Sequence, residues 1–568
     1  MITVTVFDEA ANIGDNPAIG FISTFPSRPT AMFESDDLTT MEIDVSELTF
    51  YGTTKEKIKS HIDTYGMHVG VPCQITDGTI NLDYIIDLTQ DAEFNDYYIK
   101  AKIMRFKGKD HFFKVADATT FQSIVDEGTT FNTFDAYYEI IREDQAAQAL
   151  TIFATEFVTA MQAAQAVSNV AKQVAAFTAA LDVSPSHAVA AGIVLAADIV
   201  YAGVLLTAVV VMGFKFKEAV FPSRRTFKVC TFIELLSKSC THLGFGFKST
   251  LLESVSGATY LPVPIIKDRK GIFKVLDNLL TKSFTKGYPT NECGGFQYVG
   301  VFFRACEILF NAKTKVINGV VRLERRDYFD SGSVVAVQSS MTNQSNRSTS
   351  FKRNTDDAWK RLFIEYQTDP LDFHTMDNFN PTTSENGAEN ILSLGKEYDL
   401  LKGYKKASIP FSLGTRKDDY SFVEEQCLKL FNFMDEHFDT NFSNAIEKRI
   451  GDLIISQQFF STPKVLYLDS GTGQQPSNYL DYIGADAIKA KYYGIEAIVN
   501  NSYQIFENMP IPMSMADYQK TVDTEVLNID GVDCKITSMR YISDESEVNV
   551  SFWKPEDWAT NKINTFAL

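Results

Sequence analysis

The sequence predicts an α+β protein: several β-rich, barrel-like domains interrupted by one long, Ala-rich helical hairpin. Three observations carry that expectation. Runs of alternating apolar and polar residues, closed by Asp-, Asn- and Gly-containing turns, recur along most of the 568 residues. The aromatic residues are mainly 44 Phe and 24 Tyr, against 3 Trp, and those types suit half-buried strands. From Gln145 to Phe214 the texture changes to twenty alanines, one proline and few charges.

Four segments follow from these changes: 1–144, 145–217, 218–360 and 361–568. In the first, "AMFESDDLTTMEIDVSELTFYG" alternates around acidic turns. "LDYIIDLTQDAEFNDYYIKAKIMRFKG" reads as two strands joined by an Asp/Asn-rich turn. "HFFKVADATTFQSIVDEGTTFNTFDAYYEII" continues in strands or short helices.

The second segment reads as a helical hairpin. Its first arm, about 145–181, is amphipathic, with Val167, Val170, Val174, Phe177 and Leu181 stepping by three and four. Ser184-Pro185 breaks it, and Ser186 can cap the second arm. That arm, 188–214, carries one charge, Asp198, among Ala188, Val194, Leu195, Tyr201, Leu205, Leu206, Val210, Met212 and Phe214. At 1.5 Å per residue it spans roughly 40 Å, enough to cross a bilayer or line a lumen. The charges fit an antiparallel pairing about Pro185. Lys172 and Asp198 stand at mirrored positions, and Glu156 stands level with Phe214, beside Lys215. Matched heights are what a packed apolar hairpin needs, because an unpaired buried charge is costly.

Beyond 225, "TFKVCTFIELLSKSCTHLGFGFKSTLLE" reads as an amphipathic helix followed by a strand. "AKTKVINGVVRLERRDYFDSG" reads as a hairpin turning at Asn318-Gly319. Helices are expected near 420–435 and 442–450. "VDCKITSMRYISDESEVNVSFWKPEDW" reads as strand, acidic turn, strand.

Chemistry-bearing patterns are few. "GFGFKST" (244–250) departs from a phosphate-binding loop at Phe247, where close backbone approach needs Gly, and is expected to be a turn between helix and strand. "DSGTGQQPSNY" (469–479) reads as a loop. "DPLDFHTMDNF" gathers Asp369, Asp372, His374 and Asp377, which is expected to be a solvated loop before it is a metal site. The seven cysteines, Cys73, Cys230, Cys240, Cys293, Cys306, Cys427 and Cys534, are scattered and never spaced as CxxC. A disulfide framework or zinc site is not expected. The opening "MITVTVFDEA" does not read as a signal peptide. The net charge of −19 disfavours non-specific duplex binding but suits a conduit through which DNA slides. No cofactor and no enzymatic activity are expected.

"NGVVRLERRDYFDSG" and "AWKRLFIEYQTDPLDFHTMDNF", together with the C-terminal strand pair quoted above, resemble the tail-hub or baseplate-hub proteins of tailed bacteriophages. The likeness is to the divergent hubs of phages infecting Bacteroides-like and Flavobacterium-like hosts. It covers roughly 225–568 and, more faintly, 1–140, and lies in texture and element order rather than in a diagnostic motif. It implies barrel-like hub domains in a ring around an axial channel, assembled in the host cytoplasm and placed in the virion tail. The implied partners are further copies of the chain, a homotrimer first and a hexamer next, and other tail proteins: tube, tip and fibres. It carries over no catalytic residues. The hairpin departs from the compact hub pattern. On this reading it plugs the lumen and enters the host membrane during DNA ejection. The competing reading is a pore-forming or membrane-inserting secreted protein that shelters its apolar hairpin.

Overall fold

The computed structural model describes residues 47–76, 81–89, 91–140, 225–261, 286–290, 293–325, 351–353, 361–370, 404–416, 453–455, 462–493, 503–542 and 547–555. It also describes the shorter stretches 3–7, 21–23, 30–37, 40–42, 328–329, 334–337 and 388–389, and residues 372, 375 and 432. These residues form an α+β fold with curled, half-barrel sheets. The hairpin at 145–217, with Glu156, Lys172, Pro185, Asp198, Lys215 and every apolar position named on its second arm, lies outside the described residues. So do the helices expected at 442–450 and nearly all of 420–435.

Among the described residues, two hydrophobic cores organise the fold. The first joins its two ends. A seven-stranded sheet runs in the order Phe21–Ser23, Thr3–Val6, Val71–Thr76, Asn81–Asp87, Tyr98–Arg105, Glu47–Tyr51, with Glu93–Phe94 beside Tyr98–Arg105. An eight-stranded sheet is built mainly from the C-terminal strands Tyr503–Pro512, Val526–Ile529, Val532–Ile542 and Glu547–Pro555. Alternation explains why they pack. Ile99, Ala101 and Ile103 face inward on one strand, and Val548, Val550 and Phe552 on another, so each sheet has one apolar face to bury. Helix Gly52–Tyr65 inserts Ile58 into the same core. The predicted strand pairs are present: Asn81–Asp87 runs antiparallel to Tyr98–Arg105, and Val532–Ile542 to Glu547–Pro555.

The second core belongs to the middle of the chain. Helices Lys109–Ala118, Phe232–His242 and Val299–Phe310 bring Phe112 and Phe303 together edge to face and stack Phe232 on Phe302, with Phe411 edge-on to Phe232. Around them lies a six-stranded sheet in the order Ser412–Leu413, Lys464–Tyr467, Ala258–Leu261, Arg225–Thr231, Phe134–Ile140, Leu453–Ile455. The hairpin Ala312–Ile317/Val320–Arg325 turns at Asn318 (φ 51°) and Gly319 (φ 72°). Two positive φ values are what a two-residue turn matching strand twist requires, and Asn-Gly supplies them at least cost. Helices Val299–Phe310 and Lys109–Ala118 cross closely at Gly300, where a Cβ would lie 2.0 Å from Asp117 Oδ1. One turn further on, Arg304 holds the Asp117 carboxylate through two bonds of 2.7 Å.

Candidate functional site

The site singled out by the fold is the strand pair that flanks the stretch containing 145–217, here called the foot of the expected insert. Strand Phe134–Ile140 leads into the insert and strand Arg225–Thr231 leads out of it. The two pair antiparallel, with Phe134 opposite Val229 and Tyr138 opposite Arg225. Ile140 and Arg225, which bound this stretch of sequence, thus end and begin paired strands within the six-stranded sheet and not at its edge. Burial fixes the register: Ala136, Phe227 and Val229 face the core, while Asp135 and Lys228 point outward and form a cross-strand ion pair of 2.7 Å. Both side chains are largely exposed, so the pair contributes little to stability.

Several contacts hold this foot. Asn132 N donates to Glu234 Oε1 at 3.0 Å, and the Cys230 thiol donates to Asn132 O at 3.4 Å. The approach to one strand is thus tied to the helix that follows the other. Thr231 caps that helix by accepting from Glu234 N. On the far side, Tyr137 N donates to Gly473 O at 3.1 Å, and Gly473 has φ 66°. A Cβ there would lie 2.0 Å from Asp135 O, so only glycine lets this loop close on the strand. Gly473 belongs to the "DSGTGQQPSNY" loop, which turns tightly, with Gly473 N donating to Asp469 O at 2.7 Å. The sequence reading of that segment as a loop is met. Its use as a brace for the foot was not legible, because the close approach involves a strand over 300 residues away.

The residues weighed for chemistry are occupied by other work. In "GFGFKST", strand Gly246–Lys248 leads to Ser249, which caps a five-residue helix, Thr250–Ser254. Its first turn is filled by the Glu324 carboxylate, fully buried, which accepts from Thr250 N at 3.0 Å, Leu251 N at 3.2 Å and Thr250 Oγ1 at 2.6 Å. A carboxylate stands where a phosphate would have to sit. Asp369 and Asp372 are not solvated, contrary to the sequence expectation. Both are buried, because Lys464 on a neighbouring strand supplies their counter-charge from inside the protein. His374 and Asp377 lie outside the described residues. Among the described residues, no cluster of His, Cys, Asp and Glu is arranged to hold a metal. The described cysteines are buried and unpaired with one another; burial pushes the Cys230 and Cys534 thiols up to about 12, which keeps them unreactive.

A cleft of about 450 Å³ lies between strand Tyr98–Arg105 and helix Lys109–Ala118, lined by Asp87, Lys102, Met104, Asp110, Phe113, Lys114 and Asp117. Burial alone would raise the Asp87 carboxyl. Lys114 at 2.7 Å and Thr89, which donates from N and Oγ1, outweigh it and hold the group below its ordinary value. Asp117 is committed to Arg304, and Lys102 to Asp91 at 3.1 Å. Of these pairs, Lys114–Asp87 joins the sheet of the first core to a helix of the second, and the other two lie within one unit each.

Among the described residues no helix is long and apolar enough to cross a membrane. No protein-family model matches this chain, and no curated protein matches it.

Proposed function

We propose that this chain is a structural virion protein that forms a ring, the tail hub, at the distal end of a phage tail around the DNA channel. Its helical hairpin projects toward the axis, plugs the lumen before infection, and enters the host membrane during DNA ejection. Trimer is the favoured ring order, with hexamer next. Tube, tip and fibre proteins are the neighbours, and DNA passes without specific binding.

The observation that carries this reading is the paired foot of the insert. In sequence, the long apolar segment lies between two strands that pair inside a β-rich sheet, and a glycine brace and helix contacts hold those strands. On a lone soluble molecule an apolar surface of that size promotes aggregation, whereas in a closed ring symmetry mates cover it. Alanine-rich helices suit close approach at an axis.

The test is native mass spectrometry of the detergent-free protein at micromolar concentration, with negative-stain images of the same sample. Closed trimers or hexamers with a central channel are the expected result. A soluble monomer with its insert intact would count against the ring and favour the sheltered-hairpin secreted protein.

A further inference from the structure

We propose that Lys464 and Asp372 condense into an intramolecular isopeptide bond, with Asp369 as the carboxylate that moves the protons. This inference stands on its own geometry and does not rest on the tail reading.

The three side chains meet in the interior of the middle unit. Lys464 is 0% exposed and Asp369 and Asp372 1% each. Lys464 Nζ lies 2.8 Å from Asp372 Oδ2 and 3.5 Å from Asp369 Oδ2, and donates to Ser412 Oγ at 3.1 Å. The cluster therefore places an amine against one carboxyl group, with a second carboxyl group beside the same nitrogen. Asp372 is held at both oxygens. Thr375 N donates to Oδ1 at 3.2 Å, and Thr375 Oγ1 donates to Oδ2 at 2.7 Å, with Thr415 Oγ1 2.9 Å from that hydroxyl. All of these polar residues are buried, and buried Leu413 and Val465 follow Ser412 and Lys464 on their strands, with buried Phe411 just before Ser412.

Two physical features turn this arrangement into chemistry. Water is excluded, so an ion pair here has given up its solvation, and moving a proton from an ammonium to a carboxylate yields two neutral groups that suit such a place. The reacting groups are fixed by the fold, which replaces a bimolecular encounter by a pre-set contact.

The step balances without a co-reactant. A proton passes from the ammonium to Asp372, giving amine and carboxylic acid. Nζ attacks Cγ of Asp372 and the C–N bond forms. Negative charge gathers on Oδ1, which faces the Thr375 N–H, in the manner of an oxyanion hole. Asp369 takes a proton from the nitrogen and returns it to Oδ2, the Cγ–Oδ2 bond breaks, and Oδ2 leaves as water. Nothing is oxidised or reduced. The product ties the segment after strand Arg361–Tyr366 covalently to strand Lys464–Tyr467. That strand belongs to the sheet containing the foot of the insert.

The test is mass spectrometry of the full-length, natively purified chain. The intact mass should fall short of the sequence mass by one water. Proteolysis should release one branched peptide joining the fragment with Lys464 to that with Asp372. Lys464→Met and Asp369→Asn should each restore the full mass and abolish the branched peptide. Asp372→Asn should give the same cross-link with loss of ammonia. Circular dichroism of each variant identifies those that fold. A folded wild-type protein with the full sequence mass overturns the proposal, even if every variant fails to fold. So does a mass deficit without the branched peptide, as a cyclised aspartate would give.

Discussion

Lys313 and Glu525, 212 residues apart in sequence, form a buried ion pair across the junction of the two cores. Lys313 lies on strand Ala312–Ile317 of the middle unit. Glu525 ends helix Met515–Thr524, which packs in the core shared by the chain termini. Lys315 stands 3.1 Å from the other oxygen of Glu525, donates to Val522 O at 2.9 Å, and lies over the Phe329 ring. Glu525 adopts φ 60°, a conformation that disfavours side chains, so the two lysines fix a residue that the backbone would prefer to be glycine.

Removing the carboxylate should cost more than removing either amine. Glu525→Ala leaves two ammonium groups buried together and is expected to destabilise the fold by about 3–5 kcal/mol. Lys313→Met leaves Glu525 paired with Lys315 and should cost clearly less. Urea denaturation of the three proteins gives the comparison, and equal losses would show that the pair with Lys315 has no value of its own.

The same site makes stability depend on alkaline pH. Burial pushes the Lys313 ammonium from 10.5 down to about 8, against the opposing pull of Glu525 and with Lys315 adding to the depression. The folded value is below the unfolded one, so the penalty for a charged Lys313 is fully present below about pH 8 and is relieved as pH rises toward 10.5. Between pH 7 and pH 9.5 this group should add on the order of 2 kcal/mol. At the acid end the slope has the same sign, and stability again falls with falling pH. Burial would raise the Glu525 carboxyl, but both lysines outweigh it, so its contribution is lost as pH falls below the ordinary carboxylate range. Denaturation curves at a series of pH values should show an alkaline rise that Lys313→Met abolishes.

Glu324 is expected to behave as a helix cap. Glu324→Ala leaves the amides of Thr250 and Leu251 without their acceptor and should cost about 2–3 kcal/mol. Glu324→Gln keeps an acceptor oxygen and should cost less. Because the carboxylate fills the helix start, nucleotides should leave the melting temperature of the wild-type protein unchanged. A nucleotide-dependent rise would contradict that assignment.

Gly473→Ala should loosen the foot of the insert. The added carbon meets Asp135 O, and φ 66° is strained for alanine, so a loss of at least roughly 1–3 kcal/mol is expected. Gly471→Ala in the same loop meets only Asp469 Oδ1 at 3.4 Å and serves as the control. Comparable melting temperatures for the two variants would dismiss the brace.

Replacing 145–217 by a short linker should leave the body folded, because the flanking strands are already neighbours. Circular dichroism should keep its strand signal, and amide exchange in strand Arg225–Thr231 should stay protected. Loss of that protection would mean that the insert, rather than the sheet, holds the strands together.

What the sequence determined by itself is local. Alternation along Asn81–Asp87, Tyr98–Arg105 and Glu547–Pro555 marked strands because a one-sided apolar surface must repeat every second residue. Asn318-Gly319 marked a hairpin because few residue pairs tolerate two positive φ values. Phe247 argued against a phosphate loop because only glycine permits that approach. Pairings between distant segments were decided by the tertiary structure. Glu324 over Thr250, Lys464 between Asp369 and Asp372, Gly473 against Asp135 and Lys313 beneath Glu525 each join residues whose spacing in sequence carries no period. A buried charge is stable only where another element supplies its partner, and a glycine is indispensable only where another backbone arrives. Both conditions are set by how the two cores close, which no local pattern records.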